Sequence, residues 1–505
     1  MGKWINFVKL LNVEPYMFMM MVTMTIKMSI NGQLYQDKIC INDLGHPIDV
    51  CRTISTTTDP ALEQTLSAII VTANRYSVYQ TMVFTVPGVI FSLFIGSWSD
   101  KYPSGRKMLM VFGAIGSLLD GVVAILNVIN FSWPTWLMLL SIVPSTMSGG
   151  AFGMLTAVHS HAAKETPDEL KTLRFAVLEV VSFAASPVTQ LASGYLIEMD
   201  PWFYKNLVRN YLGVYAIGSS VAFLAMIWAM LVVEDNPRPL MKQISVMTND
   251  SMDTGLLKED EDKSTLTHRW VVALRNLFDW RHVRDMFKVV LKKRPEQKRT
   301  QIMLLLLAHN ILVLCYLGPT LSVLFGYVQK VFHWDIGIYT RVSSFFTFLN
   351  IGTTMMFTWI LSKVLQWKDI SIAMIGAVSV LLIMVVRGSI LTLGGLYLSY
   401  TFGIVGMLTF VAARSMIAKV VEPAESGSVF AVLASLESCI PLVGATMFTS
   451  IFNATIDWAP GIVWHFAGLL CIPGIAMLAI LDLISSKYVD QDLGVSLPGT
   501  SDSSP

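Results

Sequence analysis

Apolar residues in this chain recur in runs of about twenty, broken by short polar stretches, and without strict alternation over their length. A run of that length crosses a hydrocarbon core about 30 Å thick as a helix, the form that satisfies its own backbone hydrogen bonds where lipid offers none. The pattern predicts twelve transmembrane helices, centred near Val22, Val86, Leu118, Pro144, Ala185, Leu224, Leu312, Phe348, Val380, Gly403, Pro441 and Gly474. One long polar interruption divides them six and six. It runs from EDNPRP through the acid-rich KEDEDK to LFDWRHVRDMFKVVLKKRPEQKR, and predicts a linker followed by a basic amphipathic segment at the membrane surface. The expected organisation is a six-helix bundle over residues 1–233, a linker over 234–299, a second bundle over 300–485 and a tail over 486–505.

Lysine and arginine orient the spans, because cytoplasmic loops carry their excess. Lys3, Lys9, Lys101, Arg106, Lys107, Lys164, Lys171, Lys363, Lys368 and Lys419 fall on one side together with the basic stretch, so both termini are expected in the cytoplasm. The apolar run from about Leu10 to Leu34 has no A-x-A cleavage site and contains Lys27, and it reads as the first span instead of a removed leader. Cys40 and Cys51 then share an exoplasmic loop, where a disulfide is permitted.

Composition agrees with this class: 54% hydrophobic residues, 14% charged and a mean hydropathy of +0.59 describe a multi-pass membrane protein in contact with the bilayer. A net charge of +1 argues against a nucleic-acid partner. The 29 methionines read as soft packing. No P-loop, HExxH or nucleophile elbow occurs, so neither an ATP-driven pump nor an enzyme is expected, and no cofactor or metal is implied.

Chemistry is expected where polar residues interrupt the spans. In LRFAVLEVVSF, Glu179 sits at membrane depth, where an ionised carboxylate without a partner costs at least about 2.5–3.5 kcal/mol. Helical spacing places Ser182, Ser186, Thr189 and Gln190 along one stripe with it, a face suited to a water-accessible cavity. Lys27 with Thr23 and Asn31 makes a polar stripe on the first span, where substrate contact and snorkelling to the surface compete as explanations. Arg414, near the end of the tenth span, is a candidate anion ligand; His309 and Tyr316 share a face of the seventh. Asp120, Arg387 and Glu437 are further intramembrane charges, with Arg387 expected to cap the exoplasmic end of the ninth span. The sequon Asn453-Ala-Thr455 is placed in a short loop too close to the membrane for glycosylation.

An internal repeat supports two halves. FAVLE (Phe175 to Glu179) in the fifth span and FAVLASLE (Phe430 to Glu437) in the eleventh follow loops beginning AKETP and AKVVEP, which implies parallel repeats. GSWSDKYPSGRK (Gly96 to Lys107) resembles the loop signature of major facilitator carriers at Asp100, Arg106 and Lys107, with two extra residues before Gly105.

VEP at Val13 to Pro15, LRFAVLE, RHVR at Arg281 to Arg284, HWD at His333 to Asp335 and AARSMIAKVVEPAESGSVFAV from Ala412 together resemble the proton-coupled folate transporter family. The resemblance implies an all-α membrane protein of two six-helix bundles with the major facilitator fold. It implies proton coupling at Glu179, a cavity arginine at Arg414, gating by Asp100 and Arg106 and a loop histidine at His282; at the place of a further family histidine this chain has Tyr316. The function expected is symport of a small organic anion with protons, driven by the proton gradient, in the plasma or endolysosomal membrane. Folate-like, conjugated-steroid, muropeptide and cyclic-dinucleotide substrates all fit. A facilitative uniporter, or a receptor or scaffold that transports nothing, would share the fold.

Overall fold

A computed structural model describes residues 11–494 except 58, 102–104, 167, 205–206, 234–283, 285–287, 289, 295–296 and 422–424; for the helical residues 92–101, 151–152, 163–164, 168–173, 176, 426–428, 431 and 485–494 it describes the backbone alone. The elements are helices without strands among the described residues. They run α1 (Glu14–Lys38), α2 (Ile48–Thr53), α3 (Pro60–Lys101), α4 (Gly105–Ile129), α5 (Val143–Met147), α6 (Gly150–Glu165), α7 (Asp168–Glu198) and α8 (Tyr211–Leu231). Then follow α9 (Lys298–Ser322), α10 (Leu324–Phe332), α11 (Ile336–Trp359), α12 (Asp369–Ser389), α13 (Leu393–Gly403), α14 (Leu408–Val420), α15 (Ser426–Thr455) and α16 (Ile462–Gly494).

All twelve predicted centres fall inside helices. Among the described residues, nine helices are long and apolar enough to cross a membrane. The other three predicted spans fall on α1, on the long α3, and on the interrupted run through α5 and α6.

The chain forms two compact units. One comprises residues up to Lys38, Asn42–Leu44 and Met82–Val283; the other comprises Ile39–Ile41, Gly45–Thr81 and the chain from Arg284 onward. In the first, α1 packs on α7 and α8, and α4 packs on α8. In the second, α9 packs on α15 and α16, and α12 packs on α14 and α16. The expected boundary of the first bundle differs here, because Gly45–Thr81 belongs to the second unit. Side-chain bonds account for this. Asn74 donates to Asn453 Oδ1 at 3.0 Å, Asn453 donates to the Val71 carbonyl at 3.3 Å, and Lys330 pairs with Glu63 at 3.0 Å. Asn453 therefore lies inside α15 with its amide engaged, not in a loop as the sequence suggested.

Glycine sets a close helix approach in the second unit. A Cβ at Gly318 would lie 2.4 Å from the Phe448 ring, and one at Gly444 would lie 2.7 Å from the Gly318 Cα, so α9 and α15 meet backbone to backbone. Cys40 and Cys51 are disulfide-bonded. Glu425 accepts from Lys292 Nζ and Arg294 Nη2, each at 2.6 Å.

Gly318→Val forces these backbones apart, and the expected cost is about 1–3 kcal/mol. Thermal unfolding of the detergent-purified protein measures it; a variant as stable as the wild type contradicts the close packing. Hydrogen bonds from Lys292 and Arg294 hold the Glu425 carboxyl below the usual carboxylate range. Stabilisation from a depressed acid is complete above its unfolded value of about 4.3 and disappears as pH falls through the folded value. The stability difference between wild type and Glu425→Gln is thus expected to stay constant from neutral pH down to about 4.3 and to shrink as pH falls further, through the folded value. A difference that already shrinks between neutral and mildly acidic pH counts against the pairing.

Candidate functional site

Two matching interruptions position the polar chemistry. In the fourth span, a 3-10 turn over Thr135–Ile142 leads into α5, and Gly149 and Gly150 adopt φ of 98° and 59° before α6 begins. Those values suit glycine, which has no Cβ to clash. In the tenth span, α13 stops at Gly403 and α14 starts at Leu408. A break within a span leaves backbone groups that need side-chain partners. Asp120 Oδ1 accepts from the Ser145 amide at 2.8 Å in the first unit. In the second, Ser379 donates to the Phe402 carbonyl and Thr353 to the Ile404 carbonyl at 3.0 Å. Interrupted helices in corresponding positions of two repeats mark carriers.

Asp120 also defines the surroundings of Lys27. The ammonium donates to Asp120 Oδ2 at 2.8 Å and to the Ser117 carbonyl at 3.1 Å, while the side chains are 16% and 2% exposed. Thr23 reaches the Gly218 carbonyl, and Asn31 accepts from Tyr215. The polar stripe of the first span therefore faces α4 and α8. Lys27 does not snorkel; its charge is matched within the bundle.

Glu437 is the hub of the second unit. Arg414 Nη2 donates to both of its carboxylate oxygens, at 2.9 and 2.8 Å, and His309 Nε2 lies 2.6 Å from Oε1. The His309 ring is buried, with Nδ1 unpartnered. Phe410 lies between the two aromatic candidates of α9, its centroid 5.9 Å from His309 and 5.7 Å from Tyr316, whose hydroxyl accepts from Asn350 at 2.9 Å. His309 and Arg414 come together through Glu437, and Tyr316 joins them through Phe410.

Glu179 behaves differently. It is exposed on α7, and among the described residues it has no hydrogen-bond or ion-pair partner. At about 100° per residue, it shares a side of the helix with the half-buried Ser182, Ser186 and Gln190 and with the exposed Phe183, while the exposed Val180, Val188, Leu191 and Tyr195 point elsewhere. Ser182 bonds the Leu178 carbonyl, and Ser186 accepts from Gln190. The nearby Arg174 cannot serve Glu179. Five residues turn the helix by about 500°, which points the two side chains well apart. Arg174 is instead buried and bound to Glu14 at 2.8 Å, Asn12 at 2.8 Å and Thr166 at 3.0 Å.

Of the expected gating residues, Lys107 donates to the Met230 carbonyl at 2.8 Å and Arg106 is half-buried and engaged. The Asp100 side chain and His282 lie outside the described residues. Sequence reasoning left Asp120 and Glu437 as unassigned charges and passed over the Glu14–Arg174 pair. The available signal was sign: an intramembrane cation calls for an acid on a neighbouring helix.

Helices in two compact units, breaks in the fourth and tenth spans and titratable side chains within apolar helices define a polytopic carrier. The chain belongs to the Major Facilitator Superfamily, which matches over residues 50–445. This is a family of transporters, not enzymes. The lysosomal proton-coupled steroid conjugate and bile acid symporter SLC46A3 of Gallus gallus is 24% identical over 419 residues, 82% of this chain and 80% of that protein. The proton-coupled folate transporter of Rattus norvegicus is 22% identical over 430 residues, 85% and 82% of the two chains. In fold, the chain is similar to the crystal structure of a peptide transporter POT in complex with sulfate, with a TM-score of 0.60 and 12% identity over 94% of each chain.

Lys27→Ala leaves the Asp120 carboxylate buried without its cation and is expected to cost about 3–5 kcal/mol. Adding Asp120→Ala removes the uncompensated charge and is expected to recover part of that loss. Thermal denaturation of the four proteins of this cycle measures the coupling, and a double variant no more stable than Lys27→Ala contradicts it.

Proposed function

We propose that this chain is a proton-coupled symporter that carries a small organic anion toward the cytosol by alternating access. The carrying observation is Glu179, an acid at membrane depth that no neighbouring cation holds among the described residues. A carboxylate locked in an ion pair has no reason to change its protonation during a cycle. One on a polar, exposed helix face can take up a proton on one side and release it on the other. Proton and substrate shift the conformational equilibrium only as far as they bind one state better than another, and a neutralised Glu179 supplies that difference.

Arg414 has a complementary role in this reading. Its guanidinium suits a substrate carboxylate, yet Glu437 already occupies it in a two-oxygen contact. Substrate anion and Glu437 then compete for one cation, and a proton shared between Glu437 and His309 favours the substrate. The named activities of the relatives, proton-coupled transport of folate and of steroid conjugates and bile acids, support this chemistry. Muropeptides and cyclic dinucleotides belong to the same anionic class. The plasma or endolysosomal membrane, with both termini cytoplasmic, fits such a cycle, because each can present an acidic exoplasmic side.

Radiolabelled folate and taurocholate uptake at acidic and neutral external pH tests the proposal. Wild-type uptake is expected to rise on acidification. Glu179→Gln is expected to abolish that rise while exchange down a substrate gradient partly survives. Uptake equally indifferent to pH in both proteins indicates a facilitative uniporter, and no flux of any anion in reconstituted vesicles indicates a receptor or scaffold.

A further inference from the structure

Arg387, near the end of α12, was expected to cap the span at the surface. It is instead 4% exposed, its guanidinium carbon 4.7 Å from the Trp464 ring centroid and 5.1 Å from that of Tyr400. Its place is imposed by backbone contact. A Cβ at Gly461 would lie 2.3 Å from the Gly388 carbonyl oxygen, so α12 meets the start of α16 too closely for any side chain at either glycine. That crossing sets the residue before Gly388 against Trp464. Nε donates to Ser399 Oγ at 3.1 Å, one turn before the break in the tenth span.

Among the described residues no carboxylate lies within ion-pair distance of this guanidinium. Lys27, Arg174, Arg209 and Arg414 all have an acid. The surroundings supply further donors in place of an acceptor. Trp464 Nε1 is buried without a hydrogen-bond partner, and the Ser343 hydroxyl is approached by those of Tyr400 and Tyr339. Phe346 stacks on Tyr400 at 4.2 Å, with 5° between the ring planes. A buried cation surrounded by hydroxyls, an indole N–H and aromatic faces, with no carboxylate beside it, is costly unless an anion completes it.

We infer that Arg387, with Tyr400 and Ser343, is an anion subsite within the second unit that receives a carboxylate of the transported substrate. The planar guanidinium matches a carboxylate in a two-point contact. The flanking rings suit a flat or ring-bearing body attached to it. The inference rests on the reading of the chain as an organic-anion carrier, and it assigns the substrate a carboxylate that is bound apart from the Arg414–Glu437 pair.

The test uses the full-length protein with folate and cholate as probes, each beside its methyl ester, in two measurements: thermal stabilisation of detergent-purified protein, and KM and Vmax of uptake. Wild type is expected to prefer each carboxylate over its ester. Arg387→Gln is expected to raise KM for the carboxylates roughly tenfold to a hundredfold, the range of a lost charged hydrogen bond, with Vmax retained and the preference over esters lost. Arg387→Lys should restore part of it. Tyr400→Phe keeps the ring and removes only the hydroxyl, so it tests the subsite even where Arg387 variants do not fold; roughly a threefold to tenfold rise in KM is expected. The inference is overturned by a folded Arg387→Gln that keeps the carboxylate preference, by loss of Vmax at unchanged KM, by an unaltered Tyr400→Phe where Arg387 variants fail to fold, or by no binding of either carboxylate to wild type. Carboxylate binding without transport sinks the carrier reading and spares the subsite; transport with an unchanged KM in Arg387→Gln does the reverse.

Discussion

An ionised side chain inside a bilayer must find its counter-charge within the protein, because lipid supplies none. Much of this molecule's interior follows from that rule. Lys27 with Asp120 joins the first span to the third, Arg174 with Glu14 joins the fifth to the first, and Arg414 with Glu437 joins the tenth to the eleventh. Each pair costs desolvation, and each fixes which helices are neighbours. Apolar packing alone would leave that choice loose, since one leucine face resembles another and lipid tails pack as well as either.

The same rule explains how the spans can break. The fourth and tenth spans are interrupted by glycines, and each break is held by a polar residue on the preceding span: Asp120 at the Ser145 amide, Ser379 at the Phe402 carbonyl. One aspartate thus does two jobs, neutralising Lys27 and capping an internal helix end. Where the rule is not met inside the protein, a ligand has something to supply. Glu179 lacks a cation and Arg387 lacks an anion among the described residues. In the proposed cycle a proton answers the first deficit and a substrate carboxylate the second.

Family membership sets the fold. A TM-score of 0.60 over 94% of both chains at 12% identity shows that the fold persists while most side chains differ. A shared fold does not fix the substrate, which depends on the side chains of the site.

The helical class and the places of the nine long apolar helices were legible in the chain, because hydropathy is summed over adjacent residues and each span satisfies its own backbone. Glu179 was legible too, as a lone acid in an apolar run with a polar stripe at helical spacing. The partners were not. Lys27 and Asp120 are separated by 93 residues, and His309 and Glu437 by 128, so only the packing of distant helices could bring them together. The burial of Arg387 in the last turn of its helix was not legible for the same reason. A residue at a helix end looks destined for the surface until Gly388 and Gly461 are seen to draw two backbones into contact around it. Local pattern decided where the chain enters the membrane, and tertiary contact decided which charges are spent on structure and which are left for chemistry.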